Sequence, residues 1–212
     1  MIQTILWDFN GTVMNDVDAS TGAVNAMLAR RGLPTITREW YTLHLVMPLE
    51  RFYGDIGFDM QTVRIEALSK EFQQECAKFE RPVFPEVQAA LERFFQKGYR
   101  QLLFSSLFHE VLMSQARERG IEGYFETIVG RQDRSLGGKE EAVAACLKEK
   151  GIDPATVLIV GDLTTDWDMA EFVGCPCALI EKGHQHRLIL EKTGAHVLKD
   201  ASELDQLLEE LK

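Results

Sequence analysis

Five short apolar runs are spread along the chain, and segments of helix length separate the later ones. The runs lie at Ile2–Trp7, Arg100–Phe104, Thr127–Val129, Val157–Val160 and Cys175–Ile180. The helix-length segments lie near Pro85–Gln96, Glu110–Arg119, Glu140–Lys148 and Thr165–Phe172. Strands and helices that alternate at such intervals are typical of a parallel sheet with helices on both faces. The sequence therefore predicts an α/β fold.

The long interval between the first two runs has a different pattern. It contains no convincing strand, and turn residues divide it into helix-length pieces at Asp16–Arg31, Thr37–Leu43, Leu49–Ile56 and Met60–Phe79. Helices inserted there would lie over the carboxyl ends of the strands, where α/β folds bind ligands. We therefore expect a Rossmann-like parallel-sheet core of residues 1–15 and 82–212, with an inserted all-α cap domain of residues 16–81.

Length and charge narrow the range of partners. The 212 residues are enough for one compact domain and a small insert. With 23 Lys and Arg against 33 Asp and Glu, the net charge is −10, and there is no basic run. The chain is therefore a poor candidate for binding nucleic acid or an anionic membrane surface. No apolar stretch approaches the ~20 residues of a membrane span. We expect a cytoplasmic monomer or homodimer whose four cysteines are reduced.

Asp8 ends the first apolar run and begins a loop that contains glycine. The loop reads Asp-Phe-Asn-Gly-Thr from Asp8 to Thr12. A carboxylate at a strand end contributes little to packing, but beside backbone N–H groups that hold a phosphate it can act as a nucleophile. Taken alone, Asp-x-Asn-Gly-Thr is usually just a turn, because Asn-Gly is a favoured turn dipeptide. The interpretation therefore depends on what accompanies Asp8 elsewhere in the chain.

Three further polar sites follow predicted strands or begin a predicted helix. Ser105 ends the second apolar run, Lys139 begins a helix, and Asp162 and Asp166 follow the run that ends at Val160. Each is weak evidence alone, because such residues are common at strand ends, as helix caps and on surfaces. In a parallel sheet, however, these strand ends meet at one edge. Carboxylates, a hydroxyl and an ammonium group together suit Mg²⁺-dependent phosphoryl transfer.

The four sites, in this order, resemble the four motifs of the haloacid dehalogenase (HAD) superfamily. The resemblance extends over essentially the whole chain, with residues 16–81 in the place of a helical cap, as in phosphoglycolate phosphatase-like members. It implies a phosphatase that acts on a small phosphorylated substrate and uses Mg²⁺. It also implies that Asp8 is the nucleophile, which forms an aspartyl-phosphate, and that Lys139 neutralises Asp8 and the phosphoryl group.

The resemblance implies roles for the other motif residues as well. Ser105 would donate a hydrogen bond to the phosphoryl group, although Ser106 is a rival for that role. Gly11 and Thr12 would shape the phosphate loop and supply donors. The implied metal ligands are Asp8, the backbone carbonyl of Asn10, Asp162, and Asp166 either directly or through water.

Three features outside the motifs could contribute to the site. Arg51, in the predicted cap, could hold an anionic substrate tail, although a solvated surface cation is an equal alternative. His109 lies four residues after Ser105 and could line the crevice, although a polar surface position is more common for such a histidine. The loop with His184 and His186 could approach the crevice rim. Two histidines at i and i+2 do not face one another on a helix, so no transition-metal site is expected there.

Asn10 departs from the HAD pattern, Asp-x-Asp-Gly-Thr, because it replaces the second aspartate. In most HAD phosphatases that aspartate transfers protons, which an amide cannot do at neutral pH. General acid–base catalysis is typically worth ~10²–10⁴-fold. Three interpretations follow: a substrate with a good leaving group, proton transfer by another residue, or a non-catalytic phospho-ligand-binding or regulatory protein on the same fold. We favour a working but slow hydrolase.

Overall fold

A six-stranded parallel sheet forms the centre of the protein. The computed structural model describes residues 1–131 and 139–212. The strands are β1 (Thr4–Asp8), β2 (Arg100–Phe108), β3 (Thr127–Arg131), β4 (Val157–Gly161), β5 (Cys177–Ile180) and β6 (His196–Leu198). Their order across the sheet is β3-β2-β1-β4-β5-β6, and every neighbouring pair is parallel. The predicted Rossmann-like α/β fold is confirmed.

Helices precede β2 and connect the later strands. In chain order they are α1 (Val17–Arg30), α2 (Arg38–His44), α3 (Leu49–Asp55), α4 (Ile65–Cys76), α5 (Pro85–Gln96), α6 (His109–Glu118), α7 (Lys139–Glu149), α8 (Thr164–Val173), α9 (Arg187–Leu190) and α10 (Leu204–Glu210). Among the helices of residues 1–131 and 139–212, none is long and apolar enough to cross a membrane. The four cysteines are free thiols.

Strand β1 is buried along its whole length because both faces of the sheet are covered. On one face, Trp7 packs in a cluster with Leu91 and Phe94 of α5. On the other face, Leu6 packs with Leu147 of α7 and with residues of α8. Each large apolar side chain buried in this way contributes about 1.5–3 kcal/mol. This packing holds the carboxyl end of β1 in a fixed position.

Helices α1 to α4 form a helical layer with an apolar cluster of its own. Met27 and Leu28 of α1 pack there with Tyr41, Phe52 and Leu68 from the three following helices. Two chain segments join this helical layer to the sheet, and they pair through an antiparallel bridge between Met14 and Val83. The part of the chain that contains α1 to α4 is all-α, as expected. Its division from the core at residues 16–81 stays a prediction.

Several boundaries differ from the predicted ones for identifiable reasons. Helix α4 does not begin at Met60, because the carboxylate of Asp59 accepts hydrogen bonds from the Gln61 N–H (3.0 Å) and the Thr62 hydroxyl (2.9 Å) and holds a turn there. Strand β2 continues past Phe104 to Phe108 with a shift in its pairing to β3. The short elements β6 and α10 were not predicted, whereas α9 begins at Arg187, where the sequence indicates the start of a helix.

Candidate active site

Three carboxylates meet at the carboxyl ends of β1 and β4. Asp8 is the last residue of β1, Asp162 follows β4 directly, and Asp166 lies in the first turn of α8. All three are buried, and one oxygen from each lies within 4.8 Å of the others. They converge because β1 and β4 are parallel neighbours, so that both strands end at the same edge.

Backbone N–H groups hold two of these carboxylates in place. The Asp166 carboxylate accepts from the N–H groups of Asp162 and Leu163, both at 3.1 Å. The Asp162 carboxylate accepts from the His184 N–H at 2.6 Å and from the Thr12 hydroxyl at 3.0 Å. The loop packs so closely that a Cβ atom on Gly11, whose φ is +77°, would overlap Asp162. Only glycine therefore fits this position without displacing the carboxylate.

Lys139 begins α7 and supplies a positive charge to the cluster. Its ammonium group contacts Asp8 and lies 2.9 Å from Asp166. Burial raises the pKa of Asp8 to about 8, against the opposing effect of Lys139, and Asp166 and Asp162 raise it further. Burial is also the main cause that raises the pKa of Asp162 to about 7. One ammonium group thus leaves the three acids short of positive charge, and their oxygens are the ligands that a hard divalent cation prefers.

A buried chain of polar groups lies beside the carboxylates. The Asn10 amide donates to Asp16 Oδ2 at 2.6 Å, and the Gly11 N–H donates to Asp16 Oδ1 at 2.8 Å. His184 Nε2 lies 3.1 Å from Asp16 Oδ1, and its Nδ1 lies 3.1 Å from the Tyr41 hydroxyl. This chain of polar groups, the polar chain, therefore connects the loop after β1 to α2.

Asp16 and His184 form a buried ion pair. Burial would raise the pKa of Asp16, but His184, Asn10 and Gly11 together lower it below its ordinary value. Burial would likewise lower the pKa of His184, but Asp16 and the neighbouring carboxylates raise it to about 9. A protonated ring has N–H donors at both nitrogens, so it donates to Asp16 through Nε2 and to Tyr41 through Nδ1.

The segment 184–186 also makes hydrogen bonds to α2 and to Leu45, the residue that follows it. The Gln185 side chain donates to the Leu45 carbonyl at 3.0 Å and accepts from the Thr164 N–H at 2.7 Å. The His186 N–H donates to the Thr42 carbonyl at 3.0 Å. One loop of the core therefore holds both the Asp162 carboxylate and the helical layer above it.

A cavity of about 470 Å³ lies between the helical layer and the sheet. On the core side its lining includes Asn10, Asp16, Ser106 and His184. Side chains from α2, α3 and α4 form much of the opposite wall. A ligand in this cavity would lie against the polar chain and beside the strand ends that carry the carboxylates.

A sequence model of haloacid dehalogenase-like hydrolases matches residues 5–180, which include all three carboxylates and Lys139. The chain belongs to the haloacid dehalogenase-like hydrolase family. In this HAD chain, the four predicted motif sites lie at one edge of one sheet. The catalytic roles assigned to them stay predictions.

Known proteins similar to this HAD chain include two curated phosphatases. The phosphoglycolate phosphatase of Yersinia pestis is 24% identical over 193 residues, which is 87% of this chain and 83% of that protein. The N-acetylmuramic acid 6-phosphate phosphatase of Pseudomonas aeruginosa is 25% identical over 197 residues, which is 87% of this chain and 84% of that protein. Because relatives at equal distance are named for different substrates, these names do not identify one for this chain.

A solved structure supports the fold. The crystal structure of a predicted phosphatase from Clostridium acetobutylicum superposes with a TM-score of 0.81. It covers 99% of this chain and 100% of that chain at 19% identity. The likeness extends over the sheet and the helical layer together, so both belong to a fold that this solved structure shares.

The predicted phosphate-loop residues lie near the carboxylates, but several use their polar groups within the protein. The Gly11 N–H donates to Asp16, and the Thr12 hydroxyl donates to Asp162. The Ser105 hydroxyl accepts from the Leu107 N–H at 3.2 Å and is buried, whereas Ser106 is exposed and lines the cavity. Of the two serines, Ser106 is therefore the one with a side chain open to a ligand.

Two predicted substrate contacts lie elsewhere. Arg51 is exposed on α3 and is absent from the described lining of the cavity, whereas the next residues, Phe52 and Tyr53, line it. His109 begins α6, and its Nδ1 lies 3.4 Å from the Gly130 N–H of β3. In this structure neither side chain reaches the cavity.

Asp16, His184 and Arg81 are site residues that the sequence analysis did not select. His184 follows β5, so the same strand-end argument that selected Asp162 applies to it. Asp16 directly precedes α1 and follows the Asn-Gly-Thr of the loop, but the sequence analysis assigns it no role in the site. Arg81 lies where the chain returns to the core and lines the cavity. The sequence places Arg81 directly before Pro82, but no pattern there indicates which way its side chain points.

Proposed function

We propose that this chain is a Mg²⁺-dependent phosphatase that hydrolyses a small phosphorylated metabolite through an aspartyl-phosphate on Asp8. The observation that carries the proposal is the buried cluster of Asp8, Asp162 and Asp166 with Lys139, at strand ends whose following residues, Asn10 and Leu163, line a ligand-sized cavity. The names of the curated relatives support a phosphate monoester as the substrate.

In the proposed reaction, a carboxylate oxygen of Asp8 attacks phosphorus and the alcohol leaves with the bridging oxygen. Lys139, which contacts Asp8, offsets the charge of the carboxylate and of the phosphoryl group. Ser106, open to the cavity, donates to a phosphoryl oxygen, or Ser105 does so after a local change. Water then attacks the aspartyl-phosphate, which restores Asp8 and releases phosphate.

The alcohol must gain a proton, and the attacking water must lose one. Asn10 cannot perform either transfer. Asp16 and His184 are ionisable and line the same cavity. Asp16 accepts a hydrogen bond from Asn10, and His184 contacts Asp16. In this proposal the proton transfers fall to that pair, and the helical layer of residues 16–81 acts as a cap that excludes water.

The residues fit a divalent cation. Asp8, Asp162 and Asp166 offer oxygens within 4.8 Å of one another, and their charge exceeds that of Lys139. The backbone carbonyl of Asn10 stays the proposed fourth protein ligand. When bound, Mg²⁺ supplies positive charge that stabilises the phosphoryl oxygens during transfer.

Millimolar Mg²⁺ should raise the Tm, by more at about pH 8.5 than at about pH 6. The folded-state pKa values of Asp8 (about 8) and Asp162 (about 7) lie above the ordinary value. Without metal, their contribution to stability is therefore present at low pH and is lost as pH rises toward 8. The cation binds ionised carboxylates, so it restores the most stability at the pH where that loss is complete. Thermal unfolding with Mg²⁺, against Na⁺ at equal ionic strength, measures the effect, and Asp162→Asn should reduce it.

A screen of phosphate monoesters with and without Mg²⁺ tests the function. Release of phosphate from any ester, dependent on Mg²⁺ and absent in Asp8→Asn protein, would support the phosphatase. The second candidate is a non-catalytic phospho-ligand binder, which Asn10 favours because it lacks an acid–base group. Mg²⁺-dependent binding of esters by calorimetry, without release of phosphate from any of them, would support that candidate instead.

A further inference from the structure

The cavity that Asn10 and Leu163 line, next to the carboxylates, has an aromatic wall. Tyr41, Phe52, Tyr53 and Phe72 line it from the helical layer, and Phe108 lines it from the core side. Its volume of about 470 Å³ lies within the range of about 300–1,000 Å³ that is usual for sites of drug-sized ligands. A two-carbon acid would fill a small part of this space and would leave most of the aromatic wall without a partner.

The same cavity contains two polar atoms that lack partners. Among the described residues, Arg81 Nε and Gln115 Oε1 are the buried side-chain nitrogen and oxygen atoms that make no hydrogen bond. Both residues line the cavity. A buried donor or acceptor without a partner costs about 1–3 kcal/mol, and more when it is charged. Both atoms are covered by protein, so they gain a partner from a ligand only if their side chains turn toward the cavity that the two residues line.

Arg81 is held in place through its backbone rather than its side chain. Arg119 donates through Nε to the Arg81 carbonyl at 3.2 Å and through an Nη atom to the Gln115 carbonyl at 3.0 Å. This bridge brings Arg81 and Gln115 to the same end of the cavity. Within the described part of the chain, the Arg81 guanidinium forms no ion pair, and its charge lies near that of Arg119. An anionic group on a ligand would offset both charges.

We propose that the preferred substrate is a phosphate monoester whose alcohol has an apolar or aromatic body and a carboxylate that binds Arg81. The phosphate lies at Asp8, the body lies against the aromatic wall, and the carboxylate pairs with the guanidinium. The Gln115 side chain turns so that Oε1 accepts from a donor on the body, where one is present. This inference rests on the proposed phosphatase function and adds a substrate class to it.

Three probes separate size from charge. They are 2-phosphoglycolate, benzyl phosphate and 4-carboxybenzyl phosphate, all esters of alkyl alcohols, so leaving-group chemistry is matched more closely than with aryl esters. For the unmodified protein with Mg²⁺, we expect kcat/KM to be highest for 4-carboxybenzyl phosphate, by at least ~10-fold over the other two. Binding of the same probes to Asp8→Asn protein is measured by calorimetry, which requires no turnover.

Arg81→Met tests the residue. The loss of kcat/KM and the rise of Kd should both be at least ~10-fold larger for 4-carboxybenzyl phosphate than for benzyl phosphate. The Tm should not fall, because the guanidinium makes no internal ion pair and its loss relieves repulsion with Arg119. Arg117→Met is the matched control, since Arg117 is an exposed α6 residue paired with Glu122, and it should change neither probe.

Two failures are distinguishable. If 2-phosphoglycolate is the best substrate and Arg81→Met affects all probes alike or none, the inference is overturned while the phosphatase function stands. If no probe is hydrolysed but 4-carboxybenzyl phosphate binds in an Arg81-dependent way, the ligand class is supported and the phosphatase proposal fails. Loss of folding in Arg81→Met, seen as a lower Tm, would contradict the argument that this side chain is held for a ligand.

Discussion

Replacing Asp8 with Asn should reduce phosphatase turnover by at least ~10³-fold while the fold stays intact. The amide has the same shape but is a far poorer nucleophile toward phosphorus. Because burial raises the pKa of Asp8 to about 8, its ionised form is costly in the metal-free protein. A neutral amide removes that cost, and Lys139 keeps Asp166 as a partner at 2.9 Å. The Tm without Mg²⁺ should therefore equal or exceed that of the unmodified protein.

The measurement is phosphate release with the best ester of the screen, together with thermal unfolding without Mg²⁺. Asp168→Asn is the control, because it makes the same change on the exposed face of α8 and should alter neither quantity. A variant that keeps a tenth of the original turnover would remove Asp8 as the nucleophile. A large fall in Tm would show that the carboxylate is needed for the fold, contrary to the electrostatic argument.

The sheet and the acidic cluster were predictable because they depend on local features. The strands that carry the site are continuous apolar runs, as expected for strands buried on both faces, and each ends where a polar residue appears. Asp8 and Asp162 were therefore assigned to one edge from topology alone. Asp166 completes the cluster. Its place in the first turn of α8 was predictable too, because that helix begins directly after the end of β4.

The polar chain was not predictable, because it depends on contacts that no local pattern encodes. Asp16 and His184 are 168 residues apart and meet only when the loop after β5 packs against the loop after β1. The sequence analysis treated His184 and His186 as residues at the start of a helix. The helix begins only at Arg187, so that interpretation did not indicate that the His184 side chain faces inward. The strand-end argument would have selected the loop, but not which histidine faces inward.

The sequence analysis selected Arg51, whereas the arginines that line the cavity include Arg81. Arg51 was chosen because it lies in the predicted cap, but α3 turns Phe52 and Tyr53 to the cavity and leaves Arg51 exposed. A seven-residue helix gives too short a pattern to decide which face is inward. Arg81 lines the cavity from the segment between α4 and α5, where no periodicity exists to read.

Replacing Asn10 with Asp should destabilise the protein by about 2–4 kcal/mol near pH 8, even though it restores the usual HAD motif. The Asn10 amide donates to Asp16 Oδ2 at 2.6 Å, so an aspartate would place a second carboxylate oxygen at that distance. Asp16 stays ionised because His184 and the hydrogen bonds from Asn10 and Gly11 hold its pKa low against burial. Two such carboxylates can coexist only if one takes up a proton, so the loss should be smaller near pH 5.

The double variant Asn10→Asp with Asp16→Asn should recover at least half of that loss. The exchange reverses the donor and acceptor of one hydrogen bond: an asparagine at position 16 donates through Nδ2 to the new carboxylate and still accepts through Oδ1 from Gly11 and His184, as Asp16 does now. Urea unfolding measures the free energies, with Asn15→Asp as the control, because it adds the same charge to this loop without contacting the Asp16 carboxylate. If Asn10→Asp alone is as stable as the unmodified protein near pH 8, the amide at position 10 is not matched to Asp16. If the exchange restores stability, the acidic group of this site lies at position 16, beside His184, and Asn10 is the partner that its charge requires.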